Sequence, residues 1–196
     1  IDLYDFKFEH AQSFVTGQII KAGVNYKSFQ IDESDSRKML DLILTEIPEN
    51  VLVIMNAFTN PKAWKNRIFL PDNETDFLKK LTKKTSRIIL NSLGNPYLIQ
   101  EFPGIPVYIC SYKDSELMQI ALANALLGHA PFSGKLPVTI PEIAIRGFGI
   151  EIPKVPLKIK QNQFRKGTVL QTVMPYEIGI NLDSIKILLN LSISEK

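Results

Sequence analysis

The chain has 196 residues and a mass of 22.2 kDa, enough for one domain with a real core. It is 45% hydrophobic and 22% charged, which excludes disorder for the bulk of the chain. The net charge of +3, from 23 basic and 20 acidic residues, is too balanced to point to nucleic acid or an anionic membrane. One cysteine excludes an internal disulfide framework, and two histidines leave little room for a histidine-built metal site. No apolar run approaches the roughly 20 residues that span a bilayer. No signal peptide opens the chain. It starts at Ile1 and stops in a periodic apolar stretch, so it reads as a piece of something longer.

Residues 1–8 are expected in the loop after a first strand that has been cut away. Glu9–Ala22 reads as a helix with Phe14, Val15 and Ile19 inward and Gly23 as its stop. Asn25–Ile31 alternates and reads as a strand. Ser34 or Asp35 is placed to cap a helix over Asp35–Glu46, where Met39, Leu40, Ile43, Leu44 and Ile47 recur at spacings of 3 and 4. Pro48 ends it. Val51–Asn56 (VLVIMN) is a continuous apolar run of the kind buried on both faces of a parallel sheet. Thr75–Lys83 is amphipathic, with Phe77, Leu78 and Leu81 inward and Lys79, Lys80, Lys83 and Lys84 outward. Arg87–Asn91 (RIILN) is a second buried strand. Pro96 suits the first turn of a short helix to Glu101. Pro106–Ser111 is a third buried strand. Asp114 is placed to cap a helix over Ser115–Leu127, which Gly128 ends.

Strands alternating with helices over short links predict right-handed βαβ units. The fold class is α/β: a doubly wound, mostly parallel sheet flanked by helices. This domain is expected over residues 1–153. Residues 154–196 read as an extension toward a following domain, with a helix at Leu182–Leu191. The change of character begins near residue 143, where prolines and a basic segment, Lys154–Lys166, replace the alternation.

The motifs narrow the chemistry. Gly128–Lys135 (GHAPFSGK) fails as a phosphate loop: five residues separate the glycines, Leu136 stands where magnesium needs a hydroxyl, and a helix precedes it. Gly147-Phe148-Gly149 lacks the third glycine of a dinucleotide fingerprint. Neither G-x-S-x-G nor S-x-x-K occurs. His10 and His129 lie far apart with no zinc spacing. Cys110, in a buried strand, reads as a core residue. Glu74, Glu101, Glu116 and Glu142 lie near element ends, and each is most simply a helix-terminal or solvated charge. Spacing selects no pair of them for glycoside chemistry.

Two places face outward. Gly94, Asn95, Pro96 and Tyr97 follow a buried strand at its carboxyl end, where open α/β sheets take ligands and a helix start offers amides. A tight turn is the commoner use of such a sequence. Trp64 and Arg67 lie in the long loop Ala57–Pro71. A lone tryptophan there serves either a sugar ring or a domain interface, and the interface reading is preferred because aromatic anchors concentrate at interfaces.

Three segments together carry a family resemblance: NAFTNPKAWKNRIFLP (Asn56–Pro71), LNSLGNPYLIQEFPGIPVYICSYKDSELMQIALANALLGHAPFSGKLPVTIP (Leu90–Pro141) and GFGIEIPK (Gly147–Lys154). They resemble the C-terminal α/β domain of family-3 glycoside hydrolases, the β-N-acetylglucosaminidase branch in particular. Val173–Lys196 is similar to the approach to a serine β-lactamase-like domain. The resemblance implies an N-terminal (β/α)8 barrel as partner, a β-lactamase-like domain after this one, and a carbohydrate substrate for the parent. It implies no cofactor. In this branch the nucleophilic aspartate and the acid/base histidine–aspartate pair belong to the barrel, so no catalytic residue transfers here. The fragment alone is expected to be inactive, and the parent to be a bacterial, extracytoplasmic retaining β-N-acetylhexosaminidase. Trp64, Arg67, Gly94, Asn95, Pro96 and Tyr97 become the expected cleft or domain-interface residues. Two alternatives stay open: a freestanding ligand-binding or interaction module, and a β-glucosidase-like domain that donates an acid/base carboxylate.

Overall fold

The computed structural model describes residues 1–4, 13–24, 26–59 and 69–155. It contains a five-stranded, all-parallel sheet in the order β2-β1-β3-β4-β5. The strands are β1 (Asp2–Tyr4), β2 (Gln30–Asp32), β3 (Val53–Phe58), β4 (Ile88–Leu93) and β5 (Val107–Cys110). The helices are α1 (Phe14–Lys21), α2 (Arg37–Glu46), α3 (Asp72–Lys84) and α4 (Glu116–Leu126). A 3-10 turn covers Pro96–Glu101. The doubly wound α/β expectation is met.

The first strand is a correction. Asp2–Tyr4 is not loop; it pairs with β2 on one side and β3 on the other. Three residues, one of them Asp2, show no run or alternation long enough to read as a strand. The strand is made by its neighbours, and all three of its residues are buried. The expected helix Leu182–Leu191 and the 156–196 part of the extension lie outside the described residues.

Two layers of helices cover the sheet. Helices α2 and α3 pack together on one face, and α1 and α4 on the other. On the α2/α3 face, Leu3, Ile31, Met55, Ala57 and Leu90 meet Leu40, Ile43, Phe77, Leu78 and Leu81 in the main core. On the α1/α4 face, Tyr4, Phe58 and Leu93 meet Val15, Leu122 and Ala123. The period of two along β1, β3 and β4 assigns alternate residues to the two faces. The caps explain where helices start. Ser13 and Ser36 accept from the amides of Thr16 and Met39 at 3.2 and 3.3 Å. Ser36, not Ser34 or Asp35, therefore caps α2; Asp35 instead accepts from the Asp32 amide. Ser115, not Asp114, is the N-cap residue of α4. Phe14 and Met39, expected inward, are half exposed; each lies in the first turn of its helix. Gly23 and Gly128 end their helices with φ of 80° and 71°.

Residues 130–155 leave the sheet as an arm folded on itself. Phe132 and Ile152 exchange backbone hydrogen bonds at 2.9 and 2.8 Å. Leu136 N–H donates to the Phe148 carbonyl at 2.7 Å, and Gly147 N–H to Leu136 at 2.8 Å.

Candidate functional site

In an open parallel sheet the crevice for a ligand lies at the carboxyl ends of the strands, where the strand order reverses. Here that switch lies between β1 and β3. Tyr4 and Phe58, the last residues of those strands, stack at 4.6 Å and 8°. They close the interior beneath the switch. The loops that leave it, 5–12 and 60–68, lie outside the described residues, and so do Trp64, Arg67 and His10.

Below this edge a polar row crosses the interior. Register places Asp2, Asn56 and Asn91 side by side on β1, β3 and β4. All three are buried on the α1/α4 side of the sheet. The Asn91 amide donates to Asn56 Oδ1 at 2.7 Å, and the Asn56 amide donates to Asp2 Oδ1 at 2.6 Å. Thr16 of α1 donates its hydroxyl to the Asp2 carboxylate at 3.1 Å. Donors thus run in one direction toward the carboxylate, which supplies only acceptors. Asn91 Oδ1, at the far end, receives no hydrogen bond among the described residues. Gln119 of α4 extends the polar theme. It accepts from the Phe14 amide at 2.9 Å and donates to the Asp114 carbonyl at 2.7 Å, tying α1 to the start of α4.

The outward turn after β4 is built from its own groups. Gly94 has φ of 137°, and a Cβ there would lie 1.9 Å from the Thr59 carbonyl oxygen. Only glycine lets the two chains approach so closely. The Asn95 amide donates to Thr59 Oγ1 at 3.1 Å, and the Tyr97 amide donates to Asn95 Oδ1 at 2.9 Å. Ser92 Oγ and Tyr108 Oη donate to the Asn95 carbonyl at 2.5 and 3.3 Å. Tyr97 is partly buried against the main core. The structure therefore brings Gly94, Asn95, Pro96 and Tyr97 together in a single internally bonded turn.

Other groups singled out in the sequence are dispersed. Glu74, expected as a helix-terminal or solvated charge, sits in the first turn of α3 but is fully buried. Its place at the positive end of the helix dipole favours its charge. Glu116 is exposed in the first turn of α4. Glu142 is exposed in a turn with φ of 64°. Cys110 is partly buried, and burial pushes its thiol up to about 11, away from nucleophilic reactivity at neutral pH. Burial likewise raises the phenols of Tyr4 and Tyr108 above the usual range. Among the described residues, no group of three or more His, Cys, Asp or Glu side chains is placed to hold a metal ion. No described helix is long and apolar enough to cross a membrane.

The Asp2–Asn56–Asn91 row was not foreseen. Its signal was present, because both apolar runs, VLVIMN and RIILN, end in asparagine at the same register.

A search of curated proteins returns no match. A solved structure of a glycoside hydrolase family 3 beta-N-acetylglucosaminidase from Paenibacillus sp. str. FPU-7 is similar over 65% of this chain, at 15% identity and a TM-score of 0.47. The match covers 25% of that protein's length. The profile of the glycosyl hydrolase family 3 C-terminal domain matches residues 41–184, from within α2 through β3, β4, β5 and the arm. Over that span the chain belongs to the glycosyl hydrolase family 3 C-terminal domain family.

Proposed function

We propose that this chain is the non-catalytic C-terminal domain of a β-N-acetylglucosaminidase-like glycoside hydrolase. Its role is to pack on a linked (β/α)8 catalytic barrel and to help shape one side of the cleft. The observation that carries the reading is the family match over residues 41–184. The choice of the β-N-acetylglucosaminidase branch rests on the sequence resemblance of Asn56–Pro71 and Leu90–Pro141.

The turn after β4 supports a structural role over a freestanding ligand-binding module. A ligand site at a strand end needs free backbone donors. Here the Asn95 and Tyr97 amides already serve Thr59 and Asn95. Trp64, Arg67 and the Gly94–Tyr97 turn then act as cleft-edge or interface residues.

The test is hydrolysis of an aryl N-acetylglucosaminide by the 196-residue chain and by the full-length parent. The expected result is turnover by the parent and none by the chain. Turnover by the chain alone would overturn the accessory role. A parent that cleaves only aryl glucosides would move the reading to the β-glucosidase branch.

A further inference from the structure

Thr59 is the last described residue before the segment that carries Trp64 and Arg67, and it is fully buried. Three consecutive residues of the β4 exit close around it. Its amide donates to the Leu93 carbonyl at 3.2 Å. Its own carbonyl lies against Gly94, where a Cβ would come within 1.9 Å of the oxygen. Its hydroxyl oxygen accepts from the Asn95 amide at 3.1 Å. Thr59 thus continues the β3–β4 ladder one residue past Phe58 and then holds the turn itself.

The same turn is braced from β5. Ser92 Oγ and Tyr108 Oη both donate to the Asn95 carbonyl, and Tyr108 Oη also reaches the Pro96 carbonyl at 3.1 Å. At the other end of the segment the chain re-enters the core at Leu70, and α3 follows with Glu74 buried in its first turn. Both feet of the segment therefore stand in the packed interior, which transmits a displacement instead of absorbing it. The hydroxyl is the part of Thr59 that the turn needs. Asn95 is buried, so its amide depends on a protein acceptor. Valine has nearly the shape of threonine but no acceptor, whereas serine keeps the acceptor. Without that bond the turn must shift to satisfy Asn95, and the tight seat of Thr59 on Gly94 carries the shift to the start of the segment.

We infer that Thr59 is a positioning residue: its grip on Gly94 and Asn95 locks the β4 turn and the start of the Trp64 segment into one unit. The two elements expected at the cleft edge or interface are then set by a single contact. The use of that unit at a cleft or interface rests on the accessory-domain reading above.

Trp64 is the single tryptophan, so its indole N–H gives one peak in a nitrogen–proton correlation spectrum. That peak is followed in the 196-residue chain for Thr59→Val, Thr59→Ser and Leu81→Ala. Leu81 is fully buried near the far end of α3, so Leu81→Ala weakens the fold without touching the turn. The expected result is a displaced peak in Thr59→Val and a peak at the wild-type position in Thr59→Ser and Leu81→Ala. Tyr108→Phe, which loosens the turn from the β5 side, takes the place of Thr59→Val should that variant not fold. An unmoved peak in the folded variant overturns the inference. So does an equal displacement in Thr59→Ser, which takes the hydroxyl out of the contact. An equal displacement in Leu81→Ala also overturns it, because Trp64 would then report general loosening. Turnover of the aryl N-acetylglucosaminide is scored separately. An unmoved peak beside an active parent and an inactive chain refutes the positioning role alone. A displaced peak in a chain that turns over substrate refutes the accessory reading alone.

Discussion

The two faces of the sheet solve burial by different physics. The α2/α3 face is a mainly apolar core in which Phe77, Leu78 and Leu81 sit on Met55, Ala57 and Leu90, with Glu74 buried in the first turn of α3. The α1/α4 face has a smaller apolar cluster and carries the Asp2–Asn56–Asn91 row with Thr16 and Gln119. Hydrophobic burial is non-directional, so the first face tolerates exchange of shape for shape. A buried hydrogen-bonded row is directional and fixes which residue stands beside which. One face therefore supplies bulk stability. The other pins the register of a first strand only three residues long. A single-residue slip of β1 would turn Asp2 to the apolar side.

The largest effects should separate the faces by mechanism. Phe77→Ala empties the fully buried centre of the main core and is expected to cost about 4 kcal/mol, by lost transfer energy and a residual cavity. Asn56→Ala removes the middle of the row. It strands the Asn91 amide and takes from Asp2 Oδ1 its bond from Asn56, leaving the one from Thr16, at an expected cost of about 3 kcal/mol. Denaturant melts give both values. The discriminating readout is Asn56→Ala combined with Asp2→Ala. The row predicts coupling of about 1 kcal/mol or more between them, whereas Phe77→Ala combined with Asp2→Ala should be additive. Additivity in the first pair would sink the row as a cooperative unit.

The difference between the faces also explains what was legible in the sequence. Continuous apolar runs announced β3, β4 and β5, because strands buried on both sides have no polar period to hide them. The amphipathic α3 was legible for the complementary reason. β1 was not, since its strand character comes from pairing on both sides and not from its own residues. Glu74 was misplaced because a carboxylate looks solvated until its helix packs its first turn inward. The Gly94–Tyr97 turn was located correctly, but its use of its own amides depends on Thr59, a contact across 36 positions that no local pattern encodes. The family match over residues 41–184 takes in β3, α3, β4, its following turn and β5 but not β1, and Trp64 and Arg67, with their expected cleft or interface role, lie outside the described residues.

Alkaline pH is the next largest lever; it reaches the edge strand β5 first, through Cys110, and then the raised phenols of Tyr108 and Tyr4 on the two faces. Burial raises the Cys110 thiol to about 11 and raises Tyr108 above the usual phenol range. Both folded values stand above the unfolded ones, so the folded state holds these protons more tightly. Stability is complete below about pH 8.5, the unfolded thiol value, and falls as pH rises through the folded values, with Cys110 accounting for roughly 3 kcal/mol. Melting temperatures taken from neutral to strongly alkaline pH should drop, and Cys110→Ala should flatten the first part of that drop. An unchanged profile in Cys110→Ala would mean that the thiol is not the group responsible. Tyr108→Phe, which deletes the bonds to the Asn95 and Pro96 carbonyls, should cost about 1 kcal/mol at neutral pH.

The smallest predicted effect runs the other way and sharpens the contrast. Helix α1 is eight residues long and carries Gly17 in its interior, with no acidic residue in its first turn. Helix α3 is 13 residues long, with Asp72 and Glu74 at its start and Lys83 and Lys84 at its end, matching the helix dipole. The α1/α4 face thus rests on a helix of low intrinsic propensity, held by Ser13, Thr16 and the Gln119 link. A Cβ on Gly17 would meet nothing within 4 Å. Gly17→Ala should therefore stabilise the protein by roughly 0.5–1 kcal/mol through helix propensity alone. It should do so without altering the coupling between Asp2 and Asn56. A rise in midpoint with unchanged coupling would show that α1 is weak locally and that the row, not the helix, specifies its position. A loss of stability would mean that α1 packs more closely at Gly17 than its open surroundings indicate.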